Sequence, residues 1–422
     1  MKKIFFKSAL ILLSGVVFIT SCNKDLDQFP EPAPQPAYPV GSGIQGKIAS
    51  IPNDSLYNRL ITRSGLASLL NDNSKTLTMF VTDNAGMRRF IDGFLMATGQ
   101  PPITTTTSNN AYSDTISRFL PVATAQAIVL YNTVGQKFLA SNFPVAFPNY
   151  PLPSEFKLDA NQPFVRLPIF PSRGTPYSFV NDIPLTGVDS LASNGVIHHT
   201  FTVVAPPSVT LKTAIAGQST LSYFRAAIIR ADSGQVNLGR LDSLLNYGVT
   251  NMTVLAPNDV AFQTFIFGVA YGNALAGGAT MAQATTIATG AVAAGPAIFS
   301  TNNFSTAQVR GIMAYHFLAT NSTGSFTPNI RVFSVNVPAT PTFVKTLVNG
   351  GVAAHPGVLA QSTFTVIAPG PIAVATATTF TGLGTFPPGG APYSGAAANV
   401  VTKDRHAVNG VYHIIDRILL PQ

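Results

Sequence analysis

The residues best suited to chemistry in this chain are a few histidines and aspartates. His198 and His199 are adjacent in a run that predicts a β-strand, where successive side chains point to opposite faces. The pair therefore cannot bind one metal ion together. Asp182 and Asp189 lie beside turn residues. We interpret them as turn and surface acids rather than as the paired carboxylates of a glycoside hydrolase.

Motifs for nucleophilic, metal-dependent or phosphate chemistry are missing from the sequence. It contains no G-x-S-x-G, no H-E-x-x-H and no pair of cysteines. Segment 272–280 looks superficially like a phosphate-binding loop, but Gly278 stands where such a loop needs lysine. His316 and His413 are expected to be buried and hydrogen-bonded to the main chain, and Arg310 to be a solvated helix residue. We therefore predict no enzyme activity, no metal ion and no cofactor.

The elements that must position these residues occur twice. LTMFVTDNAGMRRFI at 77–91 corresponds to MTVLAPNDVAFQTFI at 252–266, and ASNGVIHHTFTVVAPP at 192–207 corresponds to AVNGVYHIIDRILLPQ at 407–422. The blocks keep the same order, which predicts a tandem pair of like domains and favours adhesion or scaffolding. Beyond turn and cap residues, no polar constellation is seen to recur in both copies.

We place repeat 1 at 44–207 and repeat 2 at 208–422. Each repeat opens with an amphipathic helical pattern, with Asp54 or Ser55 as a candidate N-cap for the first. The apolar positions are Leu56, Leu60, Leu66, Leu69 and Leu70 in repeat 1, and Leu221, Phe224, Ile228 and Ile229 in repeat 2.

The first repeated block predicts a short strand followed by a capped helix. Asp83 in repeat 1 and Asn258 and Asp259 in repeat 2 follow the β-rich runs, and such residues end strands and cap helices.

The second repeated block predicts a tight turn followed by a closing strand. Asn194-Gly195 and Asn409-Gly410 are strong turn dipeptides, and His198 and His413 lie in the strands that follow. We expect Tyr412, Ile414 and Ile418 to alternate onto one face of the last strand, in the core.

The repeats differ in their middles. Repeat 1 has an insert rich in proline and aromatic residues at about 143–177, and repeat 2 has Ala/Gly/Thr segments at 270–300 and around 368–398. Inserts of this length are usually surface loops, which predicts loops here.

The N-terminus predicts a secreted lipoprotein. Residues 1–21 combine a basic start with a short apolar run, as in a signal peptide, and the chain's single cysteine, Cys22, stands where a lipobox places its acylated cysteine. Residues 22–43 are proline-rich and predict an extended tether. We expect a lipid anchor in the outer membrane of a Gram-negative bacterium, with the folded part exposed at the cell surface.

Charge is sparse and argues against a nucleic-acid partner. Charged residues make up 10% of the chain, where about 25% is usual, and the basic residues are scattered rather than clustered. Segments 260–309 and 346–402 contain no charged residue. Either they contact a partner, or their Thr, Ser and Asn residues solvate them.

The repeated blocks resemble the fasciclin domain. TVLAPNDVAF at 253–262 is similar to its first block, NGVYHIIDRILLP at 409–421 to its second, and Tyr315-His316 stands where the family carries a Tyr-His pair. Repeat 1 departs from the pattern, with Tyr131-Asn132 at the position of that pair.

The resemblance implies an α+β fold, with two tandem domains that are each a twisted β-sandwich or wedge flanked by helices. It also implies adhesion without catalysis, and it makes Tyr315 and His316 candidate binding residues. We therefore predict a surface lipoprotein that binds a protein or a glycan. The alternative is a carbohydrate-handling accessory protein or a glycan-active enzyme. Its candidate stacking residues are Tyr150, Phe164, Phe170 and Tyr177.

Overall fold

The computed structural model describes most of both repeats. The described residues are 41–103, 108–145, 149–159, 161–162, 164–174, 177–301, 304–322, 325–327, 330–367, 372–384 and 396–421. The signal peptide, Cys22 and nearly all of the tether at 22–43 lie outside them.

Helices open each repeat and flank its sheet. Those of repeat 1 are α1 (Ile44–Ser50), α2 (Ser55–Ser64), α3 (Ala67–Leu70), α4 (Asn84–Ala97), α5 (Asn109–Arg118) and α6 (Val122–Tyr131). Those of repeat 2 are α7 (Leu211–Ala216), α8 (Ser222–Ala231), α9 (Leu241–Asn246), α10 (Asp259–Ala276), α11 (Met281–Ala293) and α12 (Thr306–Tyr315). No helix in the described ranges is long and apolar enough to span a membrane.

Each repeat builds its own eight-stranded sheet. Repeat 1 contributes β1 (Leu77–Thr82), β2 (Thr133–Val134), β3 (Leu152–Lys157), β4 (Arg166–Ile169), β5 (Pro171–Arg173), β6 (Ser178–Val180), β7 (Ile183–Ala192) and β8 (Gly195–Thr200). Repeat 2 contributes β9 (Met252–Pro257), β10 (Phe317–Ser322), β11 (Ser325–Thr327), β12 (Thr342–Thr346), β13 (Val358–Ile367), β14 (Ile372–Thr381), β15 (Ala398–Ala407) and β16 (Gly410–Ile415). The expected mixture of helices and sheets is confirmed.

The two sheets share one plan. Their strand orders are β4-β3-β2-β1-β8-β7-β6-β5 and β11-β10-β12-β13-β14-β15-β16-β9. In repeat 2, β10 also pairs antiparallel with β9, as β2 pairs with β1 in repeat 1. The two repeated blocks pair as parallel neighbours, β1 with β8 and β9 with β16. Every described strand pairs with strands of its own repeat.

The strand-to-helix turns follow the expected chemistry. The side chain of Asp83 accepts from the Gly86 N–H at the start of α4, and that of Asn258 accepts from the Ala261 N–H at the start of α10, both at 2.8 Å. Asp54 holds the N-cap position of α2 without a capping hydrogen bond. Its carboxylate lies 2.9 Å from His199 Nε2 instead.

The opening helical pattern needs two corrections. Gly65, at φ 71°, ends α2 in the left-handed conformation, so the pattern from Leu56 to Leu70 is divided between α2 and α3. Ile229 is 73% exposed, because α8 turns only Phe224 and Ile228 of that neighbouring set into the core.

The core of repeat 2 lies between its opening helices and its sheet. Tyr412, Ile414 and Ile418 pack in one apolar cluster there with Phe262, as expected. The last strand ends at Ile415, however, so Ile418 reaches the cluster from the segment after it.

The inserts are not simple surface loops. In 143–177 the chain forms β3, β4 and β5, and 270–300 is largely the hairpin of α10 and α11. In 368–398 the described part forms β14 and the start of β15. In a helix or a strand, the main-chain N–H and C=O groups of these runs have hydrogen-bond partners within the protein. A loop provides such partners less completely.

The repeat 1 insert supplies the junction between the repeats. Phe170 and Phe179 form one buried cluster with Phe333, Val335 and Val411 of repeat 2. Residues 40–422 accordingly form one compact unit.

Candidate functional site

A set of three polar side chains holds one extended segment of repeat 1, residues 136–140. These residues are Thr78 on β1, His198 on β8 and Asp189 on β7, and their bonds to the segment all go to its main-chain atoms. The contacts are Thr78 Oγ1 to the Gln136 carbonyl (2.6 Å), the Phe138 N–H to Thr78 Oγ1 (2.8 Å), His198 Nε2 to the Phe138 carbonyl (2.8 Å) and the Ala140 N–H to Asp189 Oδ1 (2.8 Å).

Repeat 2 holds its segment 330–334 in the same way, with Thr253 on β9, His413 on β16 and Asp404 on β15. The contacts are Thr253 Oγ1 to the Ile330 carbonyl (2.6 Å), the Val332 N–H to Thr253 Oγ1 (2.8 Å), His413 Nε2 to the Val332 carbonyl (2.9 Å) and the Ser334 N–H to Asp404 Oδ1 (2.7 Å). A polar constellation therefore does recur in both copies, contrary to the sequence-based interpretation. We call it the Thr-His-Asp grip.

The grip depends on an unusual backbone conformation at its aspartate. Asp189 and Asp404 have φ values of 59° and 57°, in a region that aspartate tolerates better than most residues. Both lie at irregularities of strand pairing. There the Asp189 N–H donates to His198 Nδ1 at 3.3 Å, and the Asp404 N–H donates to His413 Nδ1 at 3.2 Å. Asp189 is thus a structural acid of β7 and not the surface acid that we had expected.

The same bonds define the protonation state of the two histidines. Because Nδ1 accepts a main-chain N–H, the proton of each neutral ring lies on Nε2, which donates to a carbonyl. Burial lowers the pKa of His198 below its usual value of 6.5. His198 and His199 point apart as expected, since His199 bonds to Asp54. Both nitrogens of His198 and of His413 are therefore committed to holding the fold.

Asn194 and Asn409 connect each closing block to the start of its repeat. Asn194 Oδ1 accepts from the Ile44 N–H at 2.8 Å and its Nδ2 donates to the Leu70 carbonyl at 2.9 Å. Asn409 bonds in the same way to the Leu211 N–H at 2.7 Å and to the Leu245 carbonyl at 2.9 Å.

Gly195 and Gly410 follow these asparagines for reasons of space rather than of turn geometry. The expected tight turns are present, since the two-residue turns at 193–194 and 408–409 are closed by the Ala192–Gly195 and Ala407–Gly410 pairs. Neither glycine has a positive φ, however, and each is the first residue of the strand after the turn. A Cβ on Gly410 would lie 2.4 Å from the Met252 carbonyl oxygen, and one on Gly195 would lie 2.1 Å from that of Leu77. Glycine is needed because the parallel partner strand approaches closely.

We expect Gly410→Ala to lower the free energy of unfolding by about 1–3 kcal/mol, because the parallel strands must move apart to admit a methyl group. Gly248→Ala is the matched control, since no atom lies within 4 Å of a Cβ at that position. Urea denaturation of both variants checks this. Equal stability of the two would show that the β9–β16 approach is not tight.

Asp259 is the first residue of α10, but its side chain bonds to the start of another helix. Its carboxylate accepts from the Tyr223 N–H at 2.9 Å and from Ser222 Oγ at 2.8 Å, so it caps α8. Asn84 does the same in repeat 1, where its Oδ1 accepts from the Leu56 N–H at 2.9 Å.

Tyr315 and His316 are fully buried. Tyr315 donates to the Gly357 carbonyl at 2.5 Å. His316 Nδ1 lies 2.8 Å from the Ile312 carbonyl, and its Nε2 accepts from the Leu419 N–H at 3.0 Å. The expectation of a buried, fully hydrogen-bonded His316 is confirmed. Neither side chain has an atom at the surface, so this pair can affect a partner only indirectly.

Repeat 1 fills the same place with Asn132. Its Nδ2 donates to the Ile128 carbonyl at 2.9 Å and to the Val204 carbonyl at 2.8 Å. The departure from Tyr-His in repeat 1 therefore keeps the connection between the last turn of α6 and the closing segment.

Asp182 and Asp404 approach each other at the junction between the repeats. Removal from water, together with the Asp404 carboxylate, raises the pKa of Asp182 to about 7. Both carboxylate oxygens of Asp404 accept from Ser334. Because Asp404 is engaged in the grip, the two acids are not arranged as an open hydrolytic pair.

The aromatic residues considered for sugar stacking do not share a surface. Phe164 is 96% exposed, Tyr150 is exposed, and Phe170 is fully buried in the junction, where Tyr177 packs against its cluster. Phe170 packs instead against Arg331, whose guanidinium carbon lies 4.8 Å from the centre of its ring.

The phosphate-like segment lines a shallow concavity at the turn between α10 and α11. Its lining residues are Gly277, Gly278, Ala279, Ala282, Gln283, Thr286 and Ile287. None of them carries a charge to bind phosphate. Among the described residues, no group of three or more His, Cys, Asp or Glu side chains is placed to hold a metal ion.

Comparison with solved structures gives a distant likeness. No protein-family model and no curated protein matches this chain. A solved structure of "a FAS1 Domain Pair from the Insect Cell Adhesion Molecule Fasciclin I" aligns with 87% of this chain and 96% of its own, at 12% identity and a TM-score of 0.32. This likeness is too distant to place the chain in that family.

Arg331 is the residue that sequence reasoning missed. It is 1% exposed, and no acid pairs with it among the ion pairs of the described residues. Its contacts are Asn251 Oδ1 (2.7 Å), His406 Nε2 (2.6 Å), the Ala407 carbonyl (3.3 Å) and the Val408 carbonyl (3.1 Å). Arg310, by contrast, is a half-buried helix residue that bonds to the Gly239 carbonyl at 2.7 Å. A single arginine in a neutral context gives no sequence signal of burial.

Proposed function

We propose that this chain is a fasciclin-like cell-surface lipoprotein that binds a protein or glycan partner without catalysing a reaction. The observation that carries the proposal is the Thr-His-Asp grip. The repeated polar side chains use their hydrogen-bonding atoms on the main chain of their own repeat, and this leaves them no capacity for proton transfer or metal binding. The repeated fasciclin-like blocks support a twisted β-sandwich or wedge in each repeat.

The wide uncharged surface favours contact with a macromolecule. Segment 260–309 carries no charge, and in it α10 and α11 expose Val260, Met281 and Ile287. Exposed apolar side chains that are rimmed by neutral polar residues are typical of interaction surfaces.

The anchor is tested at Cys22. Cys22→Ser removes the only thiol, so we expect loss of fatty-acid labelling and release of the protein from the outer-membrane fraction. Cells that express either form are labelled with radioactive palmitate and fractionated. A variant that stays in the membrane fraction after a high-salt wash would contradict the lipid anchor.

Binding and catalysis are separated by one panel with two measurements. The full chain carrying Cys22→Ser is immobilised and exposed to purified extracellular-matrix proteins and to neutral and acidic polysaccharides. We expect saturable binding to at least one member and no release of reducing sugar or peptide. Cleavage of a panel member would favour the glycan-active alternative or another enzyme. No binding and no cleavage would overturn the proposal.

A further inference from the structure

We propose that this chain assembles head to tail with further copies of itself, through two surfaces that repeat the internal junction of the two repeats. This deepens the proposed function by naming one partner, a second copy of the chain. The Thr-His-Asp grip and the strand registers define which positions of the two repeats are equivalent.

In repeat 2 the outer side of the gripped segment is covered by repeat 1. Phe333 lies with its ring centre 6.0 Å from that of Phe170, and Arg331 stacks on the same ring. The 3₁₀ turn Ser334–Asn336 follows at once, and Asn336 Nδ2 donates to Ser172 Oγ at 3.1 Å.

Asn336 has a second contact with repeat 1, since Asn149 Nδ2 donates to its Oδ1 at 3.0 Å. The same Oδ1 accepts the Phe333 N–H at 3.0 Å. Arg331, Phe333 and Asn336 are each 1% exposed or less, so repeat 1 covers this side completely.

Repeat 1 carries the same arrangement without the cover. Its gripped segment also runs into a 3₁₀ turn, Ala140–Asn142, and Asn142 Oδ1 accepts the Leu139 N–H at 3.2 Å. Lys137, Leu139 and Asn142 thus stand where Arg331, Phe333 and Asn336 stand in repeat 2. Lys137 and Leu139 are half-buried and Asn142 is exposed. We call these three residues the head surface.

The grip aspartates show the same contrast. The side chain of Asp404 is 6% exposed and that of Asp189 is 38% exposed. Both acids accept the N–H of the gripped segment and donate their own N–H to the grip histidine. Asp404 also accepts from Ser334 Oγ, and the cover by repeat 1 accounts for the rest of its burial.

The counterpart of the covering surface is found through the strand registers. In repeat 1, Ser172 is paired with Phe179 and Phe179 with Pro184. In repeat 2, the corresponding row joins Gln361 to Thr379 and Thr379 to Asn399. The rows are equivalent because the neighbouring positions also match. Leu185 follows Pro184 and pairs with Thr200, the last residue of β8. Val400 follows Asn399 and pairs with Ile415, the last residue of β16.

This register places Gln361 at the position of Ser172 and Leu359 at that of Phe170. Side chains two apart on a strand share a face, and Phe343 pairs beside Leu359 on that face. Phe343 is 50% exposed, whereas its strand neighbour Val344 is 3% exposed and belongs to the core. Leu359 and Gln361 are half-buried. We call Phe343, Leu359 and Gln361 the tail surface.

The chemistry of the two surfaces matches that of the internal junction. The tail surface is uncharged and apolar, with an amide where the junction has the Ser172 hydroxyl. The head surface offers Leu139, the stem of Lys137 and the Asn142 amide. The covering surface of repeat 1 is already occupied by its own repeat 2, so the cover for a head surface must come from the tail surface of another copy.

A head-to-tail interface joins two different surfaces, so every added copy leaves one head surface and one tail surface unoccupied unless the copies form a ring. We therefore expect a mass that rises with concentration beyond that of a dimer. Sedimentation velocity on the full chain carrying Cys22→Ser, over a concentration series, measures it.

Two charge variants test the surfaces. Leu139→Glu disables the head surface and Phe343→Glu disables the tail surface, and each alone should weaken assembly at least tenfold. Each retains one intact surface, so an equimolar mixture should give a one-to-one dimer and nothing larger. Asn142→Asp is a further head variant that keeps the Oδ acceptor for the Leu139 N–H, replaces the outward N–H₂ donor by a carboxylate oxygen and adds a negative charge, and it should also weaken assembly.

The controls are Phe164→Glu and Ile229→Glu, which place the same charge at exposed apolar sites away from both surfaces, one in each repeat. They should assemble like the parent chain. A parent chain that stays monomeric at all concentrations, a closed dimer, or a mixture of the two variants that does not dimerise would overturn the proposal. Each variant is also tested on the matrix-protein and polysaccharide panel. Assembly without panel binding or cleavage would overturn the proposed function alone, and panel binding without assembly would overturn this inference alone.

Discussion

Arg331→Ala is expected to lower the free energy of unfolding by about 3–5 kcal/mol, because it leaves several buried neutral acceptors unsatisfied and a cavity where the large side chain was packed. Its guanidinium donates to four acceptors of repeat 2, which are Asn251 Oδ1, His406 Nε2, the Ala407 carbonyl and the Val408 carbonyl. It also stacks on Phe170 of repeat 1. Burial lowers the pKa of Arg331 to about 10, so the charge persists at neutral pH and must be stabilised by these contacts.

Guanidinium-induced unfolding of the full chain measures the loss. Arg405→Ala is the matched control, since Arg405 is an exposed residue beside His406 on β15, and surface substitutions usually change stability by less than about 0.5 kcal/mol. Arg331→Lys should fall between the two, because an ammonium keeps the charge and cannot reach all four acceptors. An Arg331→Ala curve that overlays the Arg405→Ala curve would show that the junction does not depend on this residue.

His316→Asn should change the pH dependence of stability as well as its size. At pH 7.5 we expect a loss of about 1–3 kcal/mol, because asparagine can keep the bond to the Ile312 carbonyl, as Asn132 does in repeat 1, and leaves the buried Leu419 N–H without an acceptor.

The pH effect follows from burial, which lowers the pKa of His316 from 6.5 to about 4. Below pH 6.5 His316 binds a proton in the unfolded chain but not in the folded chain. The contribution of the neutral, buried His316 to stability is therefore lost as the pH falls from 6.5 toward 4. The loss is about 2.5 kcal/mol between pH 7.5 and 4.5, and His316→Asn should not show it. The stabilities of the two proteins should therefore converge near pH 4.5.

Tyr315→Phe is the control for this prediction. It removes the neighbouring hydrogen bond to the Gly357 carbonyl, and tyrosine does not titrate in this range. Its deficit should therefore stay constant with pH. A deficit of His316→Asn that stays equally constant would contradict a neutral His316 in the folded protein.

The repeated blocks made part of the fold and of the site predictable. A β-rich run ending in Asp83 or Asn258 signals a strand and a capped helix from local chemistry alone. The burial of His198 and His413 follows from their places in the closing strands. These features depend on neighbours in sequence, which is why the blocks are recognisable in both copies.

The gripped segments were not predictable for a physical reason. Their sequences, QKFLA at 136–140 and IRVFS at 330–334, have no identical residue at equivalent positions, because the hydrogen bonds of Thr78, His198 and Asp189 to the segment go only to its main chain. The grip aspartates were missed because a left-handed residue in a strand irregularity has no signature apart from a tolerant residue type. The inserts were misjudged because β3–β5 and the α10–α11 hairpin are stabilised by tertiary packing rather than by local pattern.

The main-chain character of the grip has a consequence for how the two copies diverge. Apart from the bond of Asp404 to the Ser334 hydroxyl, the grip bonds to main-chain amides and carbonyls. Its strict requirement is that positions 138, 140, 332 and 334 keep an N–H, so proline is excluded there. The grip does not hold the side chains between these positions, and the repeats carry different ones: Lys137 is half-buried in repeat 1, whereas its equivalent Arg331 has become a buried residue of the junction in repeat 2. After a gene duplication, selection can therefore change the side chains of this segment in one copy and leave the other copy as it was.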